Sequence, residues 1–117
     1  MSGFAGLRVL IVEDEPIVAM CLEDMLEALG CVPVGPASRL CDGLALAQAG
    51  GFDAAILDIN LGGERSIGIA DALRGRGVPF AFASGYGSAP EGYEGHPLLE
   101  KPYREAQVMA LLAQLAG

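Results

Sequence analysis

The chain has 117 residues, fifteen Asp and Glu against seven Lys and Arg, a formal net charge of −8, and a hydrophobic content of 52%. That length suits one domain spanning residues 1–117. Its apolar content is too high for a disordered chain, and its acidity excludes the basic patch a nucleic acid needs.

The first apolar run, Leu7 to Val12, is cut off by Glu13, Asp14 and Glu15. It is too short for a secretory core or a membrane span, so a cytoplasmic protein without membrane contact is expected. Pro16 suits a first helical turn, and Ile17, Met20, Cys21, Leu26 and Leu29 recur at helical spacing up to a stop at Gly30. Val32-Pro33-Val34 reads as a short strand near a sheet edge, because proline cannot donate to a ladder. Ser38 is the expected cap of a helix reaching Ala49 and ended by Gly50-Gly51. A third strand, Ala54 to Leu57, ends at Asp58. After a Gly62-Gly63 turn, Ile67, Ile69, Ala70 and Leu73 mark a helix that stops at Gly75-Arg76-Gly77. Phe80 to Ala83 form a fourth strand ending at Ser84, with both phenylalanines expected in the core. Leu98-Leu99 form a fifth before Glu100 and Lys101. A last helix starts near Arg104 with Val108, Leu111, Leu112 and Leu115 inward. Continuous apolar strands joined by helices imply a parallel sheet covered on both faces. The expected fold is α/β, a flavodoxin-like doubly wound (βα)5 with a five-stranded parallel sheet. Three cysteines, Cys21, Cys31 and Cys41, match no zinc spacing and are expected as small buried thiols in a reducing compartment.

In such a sheet the residues just past the strands meet at the carboxyl edge, where open α/β sheets bind ligands. Those residues are Glu13, Asp14, Asp58, Ser84 and Lys101. Three carboxylates that close repel one another unless a cation joins them, and a hard ion such as Mg²⁺ fits an all-oxygen set. A carboxylate beside a metal, a lysine and a hydroxyl is suited to accept a phosphoryl group. Asp58 is then the nucleophile, with Lys101 and Ser84 holding phosphoryl oxygens.

The segments RVLIVEDEP, ILDINLGG, FASGYG and EKPY, in that order, resemble the receiver domain of two-component response regulators over nearly the whole chain. The segment Pro79 to Gly87 is similar to stand-alone receivers with a PFxFATGY-type motif, serine replacing threonine. The resemblance implies that Asp58 is the phosphoacceptor, phosphorylated by a sensor histidine kinase or phosphotransfer protein. It also implies that Glu13, Asp14, Asp58 and the Asn60 backbone carbonyl hold Mg²⁺, that Ser84 and Lys101 read the phosphorylated state, and that the peptide before Pro102 is cis. The protein would then signal through a downstream protein partner or act as a phosphate sink, without turning over an external substrate.

Three features depart from the family. Leu98 stands where an aromatic switch residue is usual, and Leu61-Gly62-Gly63 replaces a loop that usually carries proline. Gly85, Gly87, Gly92 and Gly95, four glycines in twelve residues with Pro90, work against a fourth helix. Only a short turn, starting at Ser88 with Glu91 as capping partner, is expected there. Tyr86 and Tyr93 are its candidate apolar anchors, Tyr86 is a candidate pocket residue and lever, and ordering of residues 85–96 is the expected response to phosphorylation. His96 reads as a loop residue, because nothing places it near a donor or metal. The alternative function is a Mg²⁺-dependent aspartyl-phosphate phosphohydrolase. Such phosphatases need a second aspartate two residues after the nucleophile, where this chain has Asn60. A nucleotide- or flavin-binding module lacks its glycine-rich phosphate loop here.

Overall fold

A computed structural model describes residues 4–85 and 89–116. Along the chain lie β1 (Arg8–Val12), α1 (Pro16–Ala28), β2 (Val32–Ala37), α2 (Leu40–Ala49), β3 (Ala54–Asp58), β4 (Asn60–Leu61), β5 (Glu64–Arg65), α3 (Ile67–Gly75), β6 (Phe80–Ser84), β7 (Leu98–Glu100) and α4 (Glu105–Ala116). Five strands form one parallel sheet in the order β2-β1-β3-β6-β7. β4 and β5 form a separate antiparallel hairpin. The proline-bearing β2 sits at an edge, as its missing donor requires. The doubly wound parallel sheet is therefore the fold that the alternation of apolar runs and helices implied.

The strands are apolar throughout because both faces are covered. On one face Leu10, Val12, Ala55, Leu57, Phe80 and Phe82 pack with Ala47 of α2 and Ile69, Ala70 and Leu73 of α3. On the other, Val9, Ile11, Ile56, Ala81, Ala83 and Leu99 meet Leu22 and Leu26 of α1 and Val108, Leu111 and Leu112 of α4. Each large aliphatic side chain so buried contributes about 1.5–3 kcal/mol. Helices α2 and α3 touch at Gly43, where an added Cβ would lie 2.4 Å from Ile69 Cδ1. No helix among the described residues is long and apolar enough to cross a membrane.

Several local expectations change. Helix α1 buries Ala19, Leu22 and Leu26, so Ile17 is 76% and Met20 59% exposed. Its apolar residues lie on more than one side, and the periodicity admitted two phases, of which packing selects one. Of the cysteines only Cys31 is buried; Cys21 and Cys41 are exposed, because their helices turn them outward. Ser38 caps nothing: α2 begins at Leu40, with Arg39 before it and no side-chain cap.

Among the described residues, turns rather than a helix lie between β6 and β7. Tyr86 and Ser88, offered as lever and cap, lie outside the described residues. The chain just before β7 is already anchored. Tyr93 is buried against Phe80 and Phe82, donates its hydroxyl to Asp71 Oδ1 at 2.6 Å, and lies under the Arg74 guanidinium. Burial, followed by the Asp71 contact, pushes its phenol up to about 12. His96, in the loop before β7, places Nε2 2.7 Å from the Phe80 carbonyl, a contact its sequence position did not signal. That nitrogen must carry the proton, since a carbonyl only accepts. Its ring packs among Phe80, Phe82 and Tyr93. The expected ordering of residues 85–96 therefore does not extend to Tyr93 and His96, which are already packed; residues 86–88 of that segment lie outside the described residues.

Candidate functional site

Each candidate side chain is delivered by the end of a strand. Glu13 and Asp14 follow Val12, Asp58 and Ser84 close β3 and β6, and Lys101 follows Glu100 of β7. Parallel pairing brings these ends together: Asp58 lies opposite Ala83, and Ser84 opposite Glu100. The Lys101 N–H donates to the Ser84 carbonyl at 3.0 Å, and the Lys101-Pro102 peptide is cis. Asp14, Asp58, Asn60, Ser84 and Lys101 line one cavity of about 520 Å³, together with Gly62 and Gly63.

Glu13 joins the cluster through Lys101. The lysine Nζ is 2.8 Å from Glu13 Oε1 and 3.1 Å from Asp58 Oδ2, bridging the two carboxylates. Glu13 is 2% exposed, and its other oxygen accepts from the Glu15 N–H at 3.2 Å. Burial pushes the Glu13 carboxyl up to about 7; Lys101 partly offsets this and Asp58 adds to it. Burial also works against the lysine charge, but the two carboxylates outweigh it and carry Lys101 above the ordinary lysine range. Tyr103 lies nearby, its phenol held protonated first by burial and then by the charges of Glu13 and Asp58.

Oxygens of Glu13, Asp14 and Asp58 converge within 4.8 Å of one another. Hard anionic oxygens at that spacing, on two buried side chains and one half-buried one, fit a hard divalent cation and no soft metal. Lys101 alone cannot neutralise three carboxylates. Asp14→Asn should therefore leave the metal-free protein at least as stable as the parent, because one of three clustered charges is removed. It should also weaken Mg²⁺ binding by about tenfold or more. Thermal melts and calorimetric Mg²⁺ titration check both, and a lower melting temperature without metal would contradict the repulsion.

All five strand-end residues meet as the sequence suggested, and Asn60 lines the same cavity. Two features escaped sequence reasoning. One is the bridging of Glu13 and Asp58 by Lys101, which depends on how far β7 advances along β6. The other is the Gly62 N–H, which donates to Asp14 Oδ2 at 2.8 Å across 48 residues. Its only sequence signal was the Gly62-Gly63 turn just after Asp58.

Comparison with known proteins gives consistent results. The model of the response regulator receiver domain family matches residues 9–113. The phyllosphere-induced regulator PhyR of Methylorubrum extorquens is 33% identical over 97% of this chain and 45% of its own length. The solution structure of SdrG from Sphingomonas melonis Fr1 is 45% identical, covers all of both chains and superposes with a TM-score of 0.85. The crystal structure of the response regulator PhyR from Brucella abortus is 31% identical over 97% of this chain and 49% of its own, with a TM-score of 0.83. The chain thus spans about half the length of the PhyR proteins it matches and the whole of SdrG.

Proposed function

Because this chain belongs to the response regulator receiver domain family of two-component signalling, whose members are phosphorylated on aspartate, we propose that Asp58 is its phosphoacceptor. The observation that carries this reading is the placement of Asp58, 7% exposed at the end of β3. It lies on the cavity wall with Lys101 and Ser84 beside it. An Asp58 carboxylate oxygen attacks the phosphorus of a phosphohistidine, a P–O bond forms as the P–N bond breaks, and the donor imidazole leaves with the bonding pair. Lys101, whose ammonium lies 3.1 Å from Asp58 Oδ2, and Ser84 on the same cavity wall then hold the phosphoryl oxygens. Glu13, Asp14, Asp58 and the Asn60 carbonyl would hold Mg²⁺, which supplies charge neutralisation for the transferring group. The hydrolase alternative has less support. Asn60 occupies the position where an acid/base aspartate is needed, and an amide does not exchange a proton in that way. The molecule is a signalling domain, and we take its phosphorylation to be stoichiometric, its location to be the cytoplasm and its output to be contact with a downstream protein.

The phosphodonor must cover the mouth of this cavity. Of the large exposed apolar side chains, Met20 shares a groove with Glu13, Asp14, Pro16 and Pro36. Ile17, also exposed, stands three residues before it on α1, the spacing that makes helical side chains neighbours. These residues form the proposed docking edge for the kinase or phosphotransfer protein. Ile17→Glu with Met20→Glu should cut transfer from a cognate phosphohistidine protein by about tenfold or more, while labelling by acetyl phosphate stays unchanged, since the cavity is intact. Equal loss with both donors would place the defect in the site, and equal retention would move docking elsewhere.

A further inference from the structure

We infer that the hairpin of β4 and β5 is a positioning element for the metal pocket, with the backbone N–H of Gly62 holding the Asp14 carboxylate. The inference rests on the reading of Asp14 as a metal ligand. Gly62 N lies 2.8 Å from Asp14 Oδ2, and the direction of that N–H is set by a braced unit. Asn60 pairs with Arg65 and Leu61 with Glu64, and Leu61 is sunk in the core at 3% exposure. The Ser66 N–H donates to the Ile59 carbonyl at 2.9 Å, closing the base. The tip turns through Gly62 at φ +59 and Gly63 at φ +96, the paired positive angles of a type I′ hairpin turn, which glycine adopts without strain.

Asp14 needs such a brace. Its carboxylate converges with those of Glu13 and Asp58, yet the lysine bridge reaches only the other two. An aspartate left to itself would swing away from two like charges. A charge-assisted bond from a fixed amide opposes that swing and offsets part of the charge. Groups that hold a metal ligand from behind are typically worth 10–100-fold in metal affinity. In this chain the turn that follows the phosphoacceptor would thus set the geometry of a ligand that precedes it by more than forty residues.

The test is calorimetric Mg²⁺ titration of the parent, Asp14→Ala, Gly62→Pro and Gly62→Asn, with thermal melts in parallel. Gly62→Pro removes the N–H and forces φ negative, and should weaken Mg²⁺ binding about tenfold. Gly62→Asn keeps the N–H and tolerates the left-handed region; a Cβ there meets only Asp14 Oδ2, at 3.8 Å, so affinity should stay close to the parent's. Folded Gly62→Pro that binds like the parent, or Gly62→Asn as weak as Gly62→Pro, overturns the inference. Parent-like binding by Asp14→Ala shows instead that Asp14 is no ligand, and takes the inference with it. Should Gly62→Pro fail to fold, the Gly62 amide of the metal-free parent decides by NMR. It is expected downfield and protected from exchange, and shifted and exposed in Asp14→Ala. An amide unchanged by Asp14→Ala overturns the proposal.

Discussion

Asp58→Asn is expected to reduce phosphorylation to background, from a phosphohistidine protein and from acetyl phosphate with Mg²⁺ alike. The amide has nearly the shape of the carboxylate but lacks the anionic oxygen that forms the acyl phosphate bond. The fold should tolerate the change. Asp58 supplies one arm of the lysine bridge, and the shorter arm, Lys101 to Glu13 at 2.8 Å, remains. A charge is also removed from a crowded pocket, so stability should move by no more than about 1 kcal/mol. Intact-mass detection of the acyl phosphate and a thermal melt check the two halves of the expectation. Undiminished labelling of a folded variant would place the acceptor on another residue and with it dismantle the proposed site.

Lys101→Ala should have the second largest effect, and on stability as well as on phosphotransfer. Its ammonium stands between Glu13 and Asp58, whose side chains are only 2% and 10% exposed, while its own is 18% exposed. Removing one partner of a buried ion pair leaves the other charge uncompensated, at about 3–5 kcal/mol in a fully enclosed setting. Because this lysine is partly open to water, about 2 kcal/mol is expected for the metal-free protein. For a chain of this size that corresponds to a melting temperature lower by roughly 10 °C. Added Mg²⁺ should recover much of the loss, since a divalent cation takes over the neutralisation that the lysine provided. Phosphotransfer should remain impaired with Mg²⁺ present, because the phosphoryl oxygens have lost a donor. A metal-free variant that melts with the parent would mean that the bridge contributes nothing to stability.

The residues that strands deliver were readable because the signal is local. An apolar run ending in Glu13 and Asp14, or in Asp58, identifies both a buried strand and the group at its tip, and parallel topology then guarantees that the tips share an edge. Helical face was harder to read. Across α1 and its C-cap, Ile17, Met20, Cys21, Leu26 and Leu29 satisfied the period, yet the buried residues are Ala19, Leu22 and Leu26. Packing of Leu22 and Leu26 with Ile11 and Ile56 of the sheet decided which face turns inward. Tyr93 and His96 illustrate the limit from the other side. Four glycines argued against a helix, and among the described residues none lies there. Yet glycine content says nothing about whether a neighbouring phenol finds an aspartate on α3 or an imidazole a carbonyl on β6.

The sequence by itself determined the doubly wound sheet, the edge at which function resides and the five side chains gathered there, because each follows from periodicity and chain order. Tertiary structure alone decided the pairings among those groups. Lys101 bridges Glu13 and Asp58 rather than Asp14, and Asp14 is held instead by the Gly62 amide. The physical reason is distance along the chain. Residues more than forty positions apart meet only through strand register and hairpin geometry, and a difference of an ångström or two there selects which donor reaches which carboxylate.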